Sequence, residues 1–178
     1  NDEINTARDG TKTNTYRVET FQAPELGWLG YIDADRVTFY RSPTRRHTAR
    51  SEFDTSGLTS MPRVDILYCY IEPNPALIAA VVSSGAEGIV FAGTGAGFLS
   101  SVERDALAPV LALSPDRGPV IVRSNRTGNG RVVPRTEYDQ MGLVPGDTLN
   151  PQKARILLML ALTKTRDLGE IRRIFNEY

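Results

Sequence analysis

Residues 88–98 read GIVFAGTGAGF, a continuous apolar run that leads directly into a glycine-rich turn. Residues 88–92 are apolar apart from one glycine, which is typical of a strand buried on both faces of a parallel sheet. Two further apolar runs lie on either side of it in the chain, VDILYCY at 64–70 and PVIVR at 119–123. We therefore predict three strands of one sheet.

Helical patterns connect these strands. Residues 75–84 space their apolar side chains for one helix face, and Gly85 would end that helix. Residues 101–113 form the next predicted helix, with Ser100 or Ser101 as its N-cap. Strands that alternate with helices over short connections predict right-handed crossovers and a parallel arrangement.

Two more helices are predicted after the last strand. Asn150 is the expected N-cap of the first, with Pro151 at its first helical position. Asp167 is expected to cap a terminal helix. Residues 64–178 are therefore predicted to form an α/β domain, a parallel sheet flanked by helices.

The first 63 residues are more polar and carry scattered turn signals. Residues 7–15 have little apolar content and are interpreted as a loop. The β-branched and aromatic residues at 30–32 and 36–40 flank Asp-Ala-Asp at 33–35, which predicts a small β-hairpin. Prolines, a glycine and charges at 41–63 indicate a linker without a core of its own.

Composition excludes several classes of function. The 178 residues include 21 Lys and Arg and 21 Asp and Glu, so the basic excess of a nucleic-acid binder is missing. A single cysteine, Cys69, and a single histidine, His47, exclude a disulfide framework and thiolate-rich or two-histidine metal sites. No apolar run approaches the ~20 residues that span a bilayer. We expect neither nucleic acid nor a membrane as a partner.

Three segments follow the predicted strands, at the edge where parallel α/β sheets bind ligands. They are 70–74, 93–98 and 124–130. Gly93, Gly95 and Gly97 permit left-handed backbone and amides that are free to hold an anion, which indicates a ligand loop. A tight strand-to-helix turn explains the same glycines. A dinucleotide site is disfavoured, because the G-x-G-x-x-G spacing is incomplete and no acidic residue ends the next strand.

Two residues of reactive type have ordinary explanations. Glu137 lies in a polar segment at 134–139 and by spacing alone is a solvated surface acid. Cys69 has no histidine nearby in the sequence to activate it, so it is interpreted as a small buried side chain. The residues alone therefore indicate that the glycine loop either binds a ligand or is only a tight strand-to-helix turn. They do not provide a complete set of catalytic residues.

Short segments along the whole chain have a distinctive sequence: NDEI at 1–4, TKTNT at 11–15, PTRRH at 43–47, AGTGAG at 92–97, LNPQKAR at 149–155 and IFNEY at 174–178. In this order they resemble segments of bacterial type II L-asparaginases and glutaminase-asparaginases. The resemblance is to the C-terminal half of such an enzyme. It implies that 1–40 is the tail of the N-terminal domain, 41–63 the interdomain linker and 64–178 the C-terminal α/β domain.

The N-terminal domain of that family carries the nucleophilic threonine in a T-G-G-T-I-A motif. It also carries a T-D-T motif, with a second threonine and an aspartate, and a lysine that activates this second threonine. Neither motif occurs in these 178 residues, so the resemblance implies no catalytic residue in this chain. We expect that the N-terminal part was cut away, is a separate polypeptide, or lies outside this sequence.

In the family, the C-terminal domain lends substrate-binding residues to an active site shared with a neighbouring subunit. The resemblance implies that Glu137 binds the substrate α-ammonium, if a two-residue deletion lies between it and Leu149. The family's glycine loop offers Asn or Ser at the position of Phe98, which cannot form a side-chain hydrogen bond. Ser100 is the alternative residue for that contact.

The implied activity is hydrolysis of L-asparagine to the acid and ammonia, with L-glutamine as a further candidate substrate and without a metal or organic cofactor. The implied partners are L-asparagine or L-aspartate, the N-terminal asparaginase domain and further copies in a homotetramer. The implied location is periplasmic or secreted. A second hypothesis is a non-catalytic binding or assembly module of the same fold, and a third is a nucleotide-binding α/β domain.

Overall fold

Short antiparallel strands form the first of the two units into which the chain divides, Asn1–Thr48 and Ala49–Tyr178. The computed structural model describes residues 2–113 and 118–178. The strands of the first unit are β1 (Glu3–Ile4), β2 (Thr11–Lys12), β3 (Phe21–Gln22), β4 (Gly30–Asp33) and β5 (Arg36–Phe39). They form a three-stranded sheet in the order β1-β4-β5 and a separate pair of β2 with β3.

The predicted hairpin is confirmed as β4 and β5. Between them, Ala34 and Asp35 have φ angles of 45° and 66°, the left-handed pair that a type I′ turn needs. The prediction of a loop throughout 7–15 is wrong at Thr11–Lys12, which pairs with Phe21–Gln22. The local composition does not signal this strand, because its partner lies further along the chain.

Among the described residues of the second unit, four parallel strands form one sheet. They are β6 (Val64–Tyr68), β7 (Gly88–Gly93), β8 (Val120–Asn125) and β9 (Val144–Pro145), hydrogen-bonded in that order. Val64 aligns with Gly88 and Gly88 with Val120, so the three longer strands run in register and end at one edge. The three predicted strands are confirmed, whereas β9 is too short to give a sequence pattern.

Helices cover both faces of this sheet. Those formed by the described residues are α1 (Ala76–Ser83), α2 (Ser101–Leu111), α3 (Thr136–Gln140), α4 (Pro151–Leu162) and α5 (Leu168–Glu177), with a 3₁₀ turn at Thr48–Arg50. Asn150 and Asp167 cap α4 and α5, each accepting a backbone hydrogen bond from three residues further on, at 3.0 and 2.8 Å. Gly85 follows α1 with φ 85°. The predicted caps and stop are confirmed.

Side chains of the strands alternate between two cores. Val90 and Val122 pack with apolar residues of α4 and α5 on one face. Ile89 and Phe91 pack with residues of α1, α2 and α3 on the other. The strand predicted at 88–92 is therefore buried on both faces, and the α/β architecture of the second unit follows from its apolar runs.

Residues just after the 3₁₀ turn anchor themselves on α5. The rings of Phe53 and Tyr178 lie 5.0 Å apart between centroids. Glu52 pairs with Arg173 at 3.0 Å and with Lys164 at 3.1 Å. Hydrogen bonds from Arg173 are the main cause that lowers the pKa of Glu52 to about 2. This clamp ties the segment that precedes β6 to the last helix.

The boundary between the two units lies inside the segment that the sequence marks as a linker, 41–63. It falls between Thr48 and Ala49. The clamped part of that segment belongs to the second unit. The assignment of 1–40 to the tail of an N-terminal domain stays a prediction.

Candidate functional site

The glycine loop follows β7 at the edge where β6, β7 and β8 end. Thr94 and Phe98 close it by exchanging backbone hydrogen bonds: Thr94 N–H donates to Phe98 O at 3.0 Å, and Phe98 N–H to Thr94 O at 2.8 Å. Gly95 and Gly97 turn the chain between them with φ angles of 48° and 78°. The amides of Thr94 and Phe98 thus hold the turn closed and are not free for an anion. Any role of this loop in binding a ligand falls to its remaining groups.

Close packing requires two of the three loop glycines. A Cβ atom at Gly93 would lie 2.5 Å from the Gly97 carbonyl carbon. A Cβ atom at Gly97 would lie 2.8 Å from Val132 Cγ1 and 3.0 Å from Ser124 O. Both distances are far below ordinary van der Waals contact, so these glycines let the loop fold onto itself and onto its neighbours.

A fully buried arginine holds the far end of the loop. Arg123, in β8, donates from Nη1 to Gly97 O at 3.3 Å and from Nη2 to Val133 O at 2.9 Å. Its guanidinium carbon lies 4.0 Å from the centroid of the Tyr138 ring, a cation–π distance. Burial lowers the pKa of Arg123, and its Nε has no hydrogen-bond partner among the described residues.

Helix α3 brings Tyr138 against the same loop. The segment 134–139, polar in the sequence, leads into α3, and its Tyr138 is buried. Tyr138 Oη accepts a hydrogen bond from Leu99 N–H at 3.1 Å. The burial of Tyr138 has no sequence signal, because one aromatic ring in a short polar segment forms no periodic pattern. Glu137 is exposed, which agrees with its interpretation as a surface acid.

Phe98 lies at the surface of this edge and carries a guanidinium on its ring. The guanidinium carbon of Arg135 is 4.8 Å from the ring centroid of Phe98. The ring is 36% exposed, so it serves as a platform rather than as a core residue. A cation–π contact at such an exposed position stabilises by about 0.5–1 kcal/mol.

Ser100 acts as the N-cap of α2. Its Oγ accepts a hydrogen bond from Glu103 N–H at 3.2 Å and donates one to Glu103 Oε2 at 2.8 Å. The same carboxylate oxygen accepts a hydrogen bond from Ser100 N–H at 2.8 Å. This reciprocal arrangement is a capping box. It uses the one proton of the hydroxyl, which leaves Ser100 only a lone pair to offer a ligand.

Glu137 forms an ion pair with Arg104 of α2. Half of the Glu137 side chain is exposed, and about a third of the Arg104 side chain. The carboxylate is therefore accessible to an external cation, which would have to compete with Arg104 for it.

Arg126 and Asn125 organise the segment that follows β8. Arg126 N–H donates to Gly93 O at 2.9 Å, and its Nη1 donates to Cys69 O at 2.7 Å. Asn125 Oδ1 accepts hydrogen bonds from Thr127 Oγ1 at 2.6 Å and from Gly128 N–H at 3.0 Å. Because Arg126 reaches both neighbouring segments, the ends of β6, β7 and β8 are linked.

Cys69 is a buried side chain, as its sequence context indicates. Burial, together with a hydrogen bond to Glu103, raises the pKa of its thiol. A thiol held in the protonated form is a poor nucleophile. Cys69 therefore fills space at the end of β6 and contributes no covalent chemistry.

The structure brings Phe98, Ser100 and Glu137 to one edge of the sheet, although the sequence gives them no local connection. Contacts of α3 with the end of the loop and with α2 link them. Sequence reasoning missed Arg123, Tyr138 and Arg135. The available signal for Arg123 was a charged residue at the end of an apolar run; Arg135 had none.

Two kinds of feature are missing from the described ranges, 2–113 and 118–178. No group of three or more His, Cys, Asp and Glu side chains is placed to hold a metal ion. No helix in those ranges has the length and apolar character needed to cross a bilayer.

Comparison with known proteins gives one family and many relatives. Residues 63–175 match the family described as the Glutaminase/Asparaginase C-terminal domain. L-asparaginase 2 of Bacillus subtilis is 48% identical over 179 residues, which cover 100% of this chain and 46% of that protein. L-asparaginase 2 of Escherichia coli is 42% identical over 100% of this chain and 51% of its own length. The chain thus spans about half the length of the curated relatives it matches.

A solved structure is similar along the whole chain. The probable cytoplasmic L-asparaginase of Campylobacter jejuni matches with a TM-score of 0.93 and 41% identity, over 100% of this chain and 57% of that one. A further relative, 40% identical over 100% of this chain and 50% of its own length, is named a probable periplasmic L-asparaginase of Haemophilus influenzae. The names of related proteins therefore point to two different compartments.

Proposed function

Because the chain belongs to the Glutaminase/Asparaginase C-terminal domain family, we propose that it supplies the substrate-binding half of an amidohydrolase. The reaction is hydrolysis of L-asparagine, with L-glutamine as a further candidate substrate, to the acid and ammonia. The nucleophilic threonine would come from an N-terminal domain, since its motif does not occur in this sequence. The residues of this chain would bind and orient the amino acid.

One observation carries this proposal: the end of the glycine loop, the start of α2 and α3 meet at one edge of the sheet. Arg135 reaches the Phe98 ring, Tyr138 accepts from Leu99 N–H, and Glu137 pairs with Arg104. Parallel α/β sheets bind their ligands at this edge. Relatives named L-asparaginase and glutaminase-asparaginase align along the full chain, which supports the same reaction class.

Glu137 would hold the α-ammonium group of the substrate. A carboxylate accepts short, charge-assisted hydrogen bonds from an ammonium. The ammonium group of the bound substrate would take the place of Arg104 as the cationic partner of Glu137. Hydrolysis by a hydroxyl nucleophile needs a fixed amide carbon and backbone donors for the oxyanion. Glu137 would supply part of that fixation and none of the covalent steps.

The proposed ammonium contact can be separated from the ion pair that Glu137 already forms. Binding of L-aspartate to the whole 178-residue chain would be measured by calorimetry for the wild type, Glu137→Gln and Arg104→Gln. We expect about fivefold or greater weakening in Glu137→Gln, because one exposed charge contact is lost. Arg104→Gln breaks the same pair but keeps the carboxylate, so its affinity should be unchanged or higher. Equal weakening in both variants, or unchanged affinity in Glu137→Gln, would reject the contact.

A non-catalytic binding or assembly module of the same fold is the second candidate function. The observation that favours it is Phe98, whose side chain can neither donate nor accept a hydrogen bond. Ammonia release from L-asparagine and L-glutamine would be measured with the chain as prepared and after addition of the N-terminal domain of a relative. Release in either case supports the hydrolase. Binding of aspartate without any release supports the module.

We also propose a homotetramer of two dimers with each active site shared between subunits. Sedimentation equilibrium of the chain with an added N-terminal domain would test it, and a monomer in that mixture would reject it. The periplasmic or secreted location stays a prediction.

A further inference from the structure

Arg135 is a surface cation whose position is set by an aromatic ring. Its guanidinium lies over Phe98 at 4.8 Å, and its side chain is exposed. Among the described residues no carboxylate forms an ion pair with it. Stacking on a ring leaves the N–H edges of a guanidinium open to an acceptor, since the face is used and the edges are not.

A second guanidinium stands behind the first. Arg123 is fully buried, its Nη groups donate only to backbone carbonyls, and it forms no ion pair within the described residues. Arg135 is close enough to Arg123 to disfavour its charge. A buried charge is screened by solvent much less than an exposed one. The potential at this edge is therefore raised by two arginines.

The carboxylates near Arg123 and Arg135 do not neutralise both arginine charges. Glu137 is paired with Arg104, and Asp147 with Arg131 at 2.8 Å. Asp139 interacts with Arg123 through space and favours its charged form. Glu103 is used by the cap of α2, where its carboxylate accepts hydrogen bonds from Ser100. Within the described residues none of these acids forms an ion pair with Arg135, so its positive charge remains next to Phe98.

We propose that Arg135, held on the ring of Phe98, is a specificity residue that binds the side-chain carboxylate of an amino-dicarboxylate, so that this edge prefers the dicarboxylate over the corresponding amide. The inference rests on the proposed function, which puts the ligand at the edge of the sheet where Phe98 and Glu137 lie. Amide hydrolysis changes the charge of one ligand group, since a neutral side-chain amide becomes a carboxylate. A guanidinium at that position holds the acid product more tightly than the substrate.

The test compares the affinities of L-aspartate and L-asparagine for the whole chain by NMR titration. Four proteins are measured: the wild type, Arg135→Gln, Arg135→Lys and Arg131→Gln. Arg131→Gln is the matched control, because it removes one positive charge from the same segment but from an arginine already paired with Asp147. Thermal melting of each variant verifies that it is folded.

We expect the wild type to prefer L-aspartate, and Arg135→Gln to weaken aspartate binding about fivefold while asparagine binding changes less than about twofold. Arg135→Lys keeps the charge and should restore part of the preference. Arg131→Gln should leave the ratio of the two affinities unchanged. A structural role for Arg135 would lower both affinities together and leave their ratio as it was.

Two outcomes overturn the inference. An aspartate-to-asparagine ratio that is unchanged in Arg135→Gln rejects Arg135 and leaves the proposed function standing. An equal change of the ratio in Arg131→Gln shows a general effect of net charge and also rejects the specific contact. A wild-type chain that binds neither amino acid rejects both the inference and the proposed substrate-binding role of this chain.

Discussion

The two units of the chain differ in how they bury their side chains. In the first, among the described residues, only Thr20, Ala23 and Gly30 are buried. Large apolar side chains are exposed along it, including Tyr16, Val18, Phe21, Val37, Phe39 and Tyr40. The described part of the second unit has two apolar cores, one on each face of its sheet. Hydrophobic burial therefore stabilises the second unit and contributes little to the first.

This difference in burial indicates which unit needs contacts with another domain to be stable. Exposed apolar patches on a soluble protein mark interaction surfaces. We expect the first unit to be completed by packing against the N-terminal domain of the proposed enzyme. We expect the second unit, which carries the candidate site, to fold without that domain.

Separating the units should give the largest effect. Residues 49–178 alone are expected to give a dispersed ¹H–¹⁵N spectrum and a cooperative thermal transition. Residues 1–48 alone should be unfolded, because a segment of this size without disulfides or metal rarely buries enough apolar surface. Dispersed amide signals from isolated residues 1–48 would contradict the conclusion that the first unit cannot fold alone.

Within the second unit, adding a methyl group inside the closely packed glycine loop should have the next largest effect. Gly97→Ala is expected to lower the free energy of unfolding by about 3 kcal/mol, through backbone strain and overpacking. Gly128→Ala is the matched control, because Gly128 has a similar φ of 81° but open space around a Cβ. It should cost only about 1 kcal/mol. Equal losses in urea unfolding would show that loop packing is unimportant.

Ser100 offers a way to distinguish a structural from a ligand-binding residue. Ser100→Ala removes the N-cap of α2 and should lower the free energy of unfolding by about 1.5 kcal/mol. Aspartate affinity should be unchanged, because the hydroxyl proton is already used by Glu103. Asn150→Ala removes the cap of α4 and serves as control for the loss of a cap alone. A drop in aspartate affinity confined to Ser100→Ala would assign Ser100 to the ligand.

The clamp that joins Glu52 to α5 should give the smallest effect, and one that depends on pH. The folded-state pKa of Glu52, about 2, lies below its ordinary value of 4.5. Its contribution is therefore complete above pH 4.5 and is lost as the pH falls through about 2. Glu52→Gln should cost about 1 kcal/mol at pH 7, discounted for partial exposure. The difference from the wild type should shrink as the pH falls below 4.5 and vanish below about pH 2.

A second acid on the same arginine provides the control for that clamp. Glu170 also contacts Arg173 at 3.0 Å, but its side chain is 55% exposed. Glu170→Gln should therefore change the urea midpoint less than Glu52→Gln does. If the two variants behave alike, or if the effect of Glu52→Gln is independent of pH, the clamp does not contribute as an ion pair.

Much of the second unit could be predicted from local patterns. The apolar runs at 64–70, 88–92 and 119–123 each became a strand, because a strand buried on both faces must be apolar at successive positions. The caps at Asn150 and Asp167 were predictable, since a short polar side chain before an apolar helix has few other uses. The hairpin followed from its turn residues, which tolerate left-handed backbone.

The candidate site was predictable only in part. Its glycines stood out in the sequence, and the family resemblance named Phe98, Ser100 and Glu137. Nothing local indicated that Arg123 would be buried against Tyr138, or that Arg135 would lie on Phe98. Each of these contacts joins residues from different elements, so it exists only after β7, β8 and α3 have packed. The same holds for β9, whose two residues become a strand because β8 offers an edge.

Patterns within a few residues of one another thus specify elements, and here they specified most of the sheet and its helices. Contacts between elements depend on distances that the chain acquires only on folding. The charge at the ligand edge is of this second kind. In the sequence, Arg123 and Arg135 are ordinary arginines. Folding buries the first and places the second on a ring, close enough for their positive charges to affect each other.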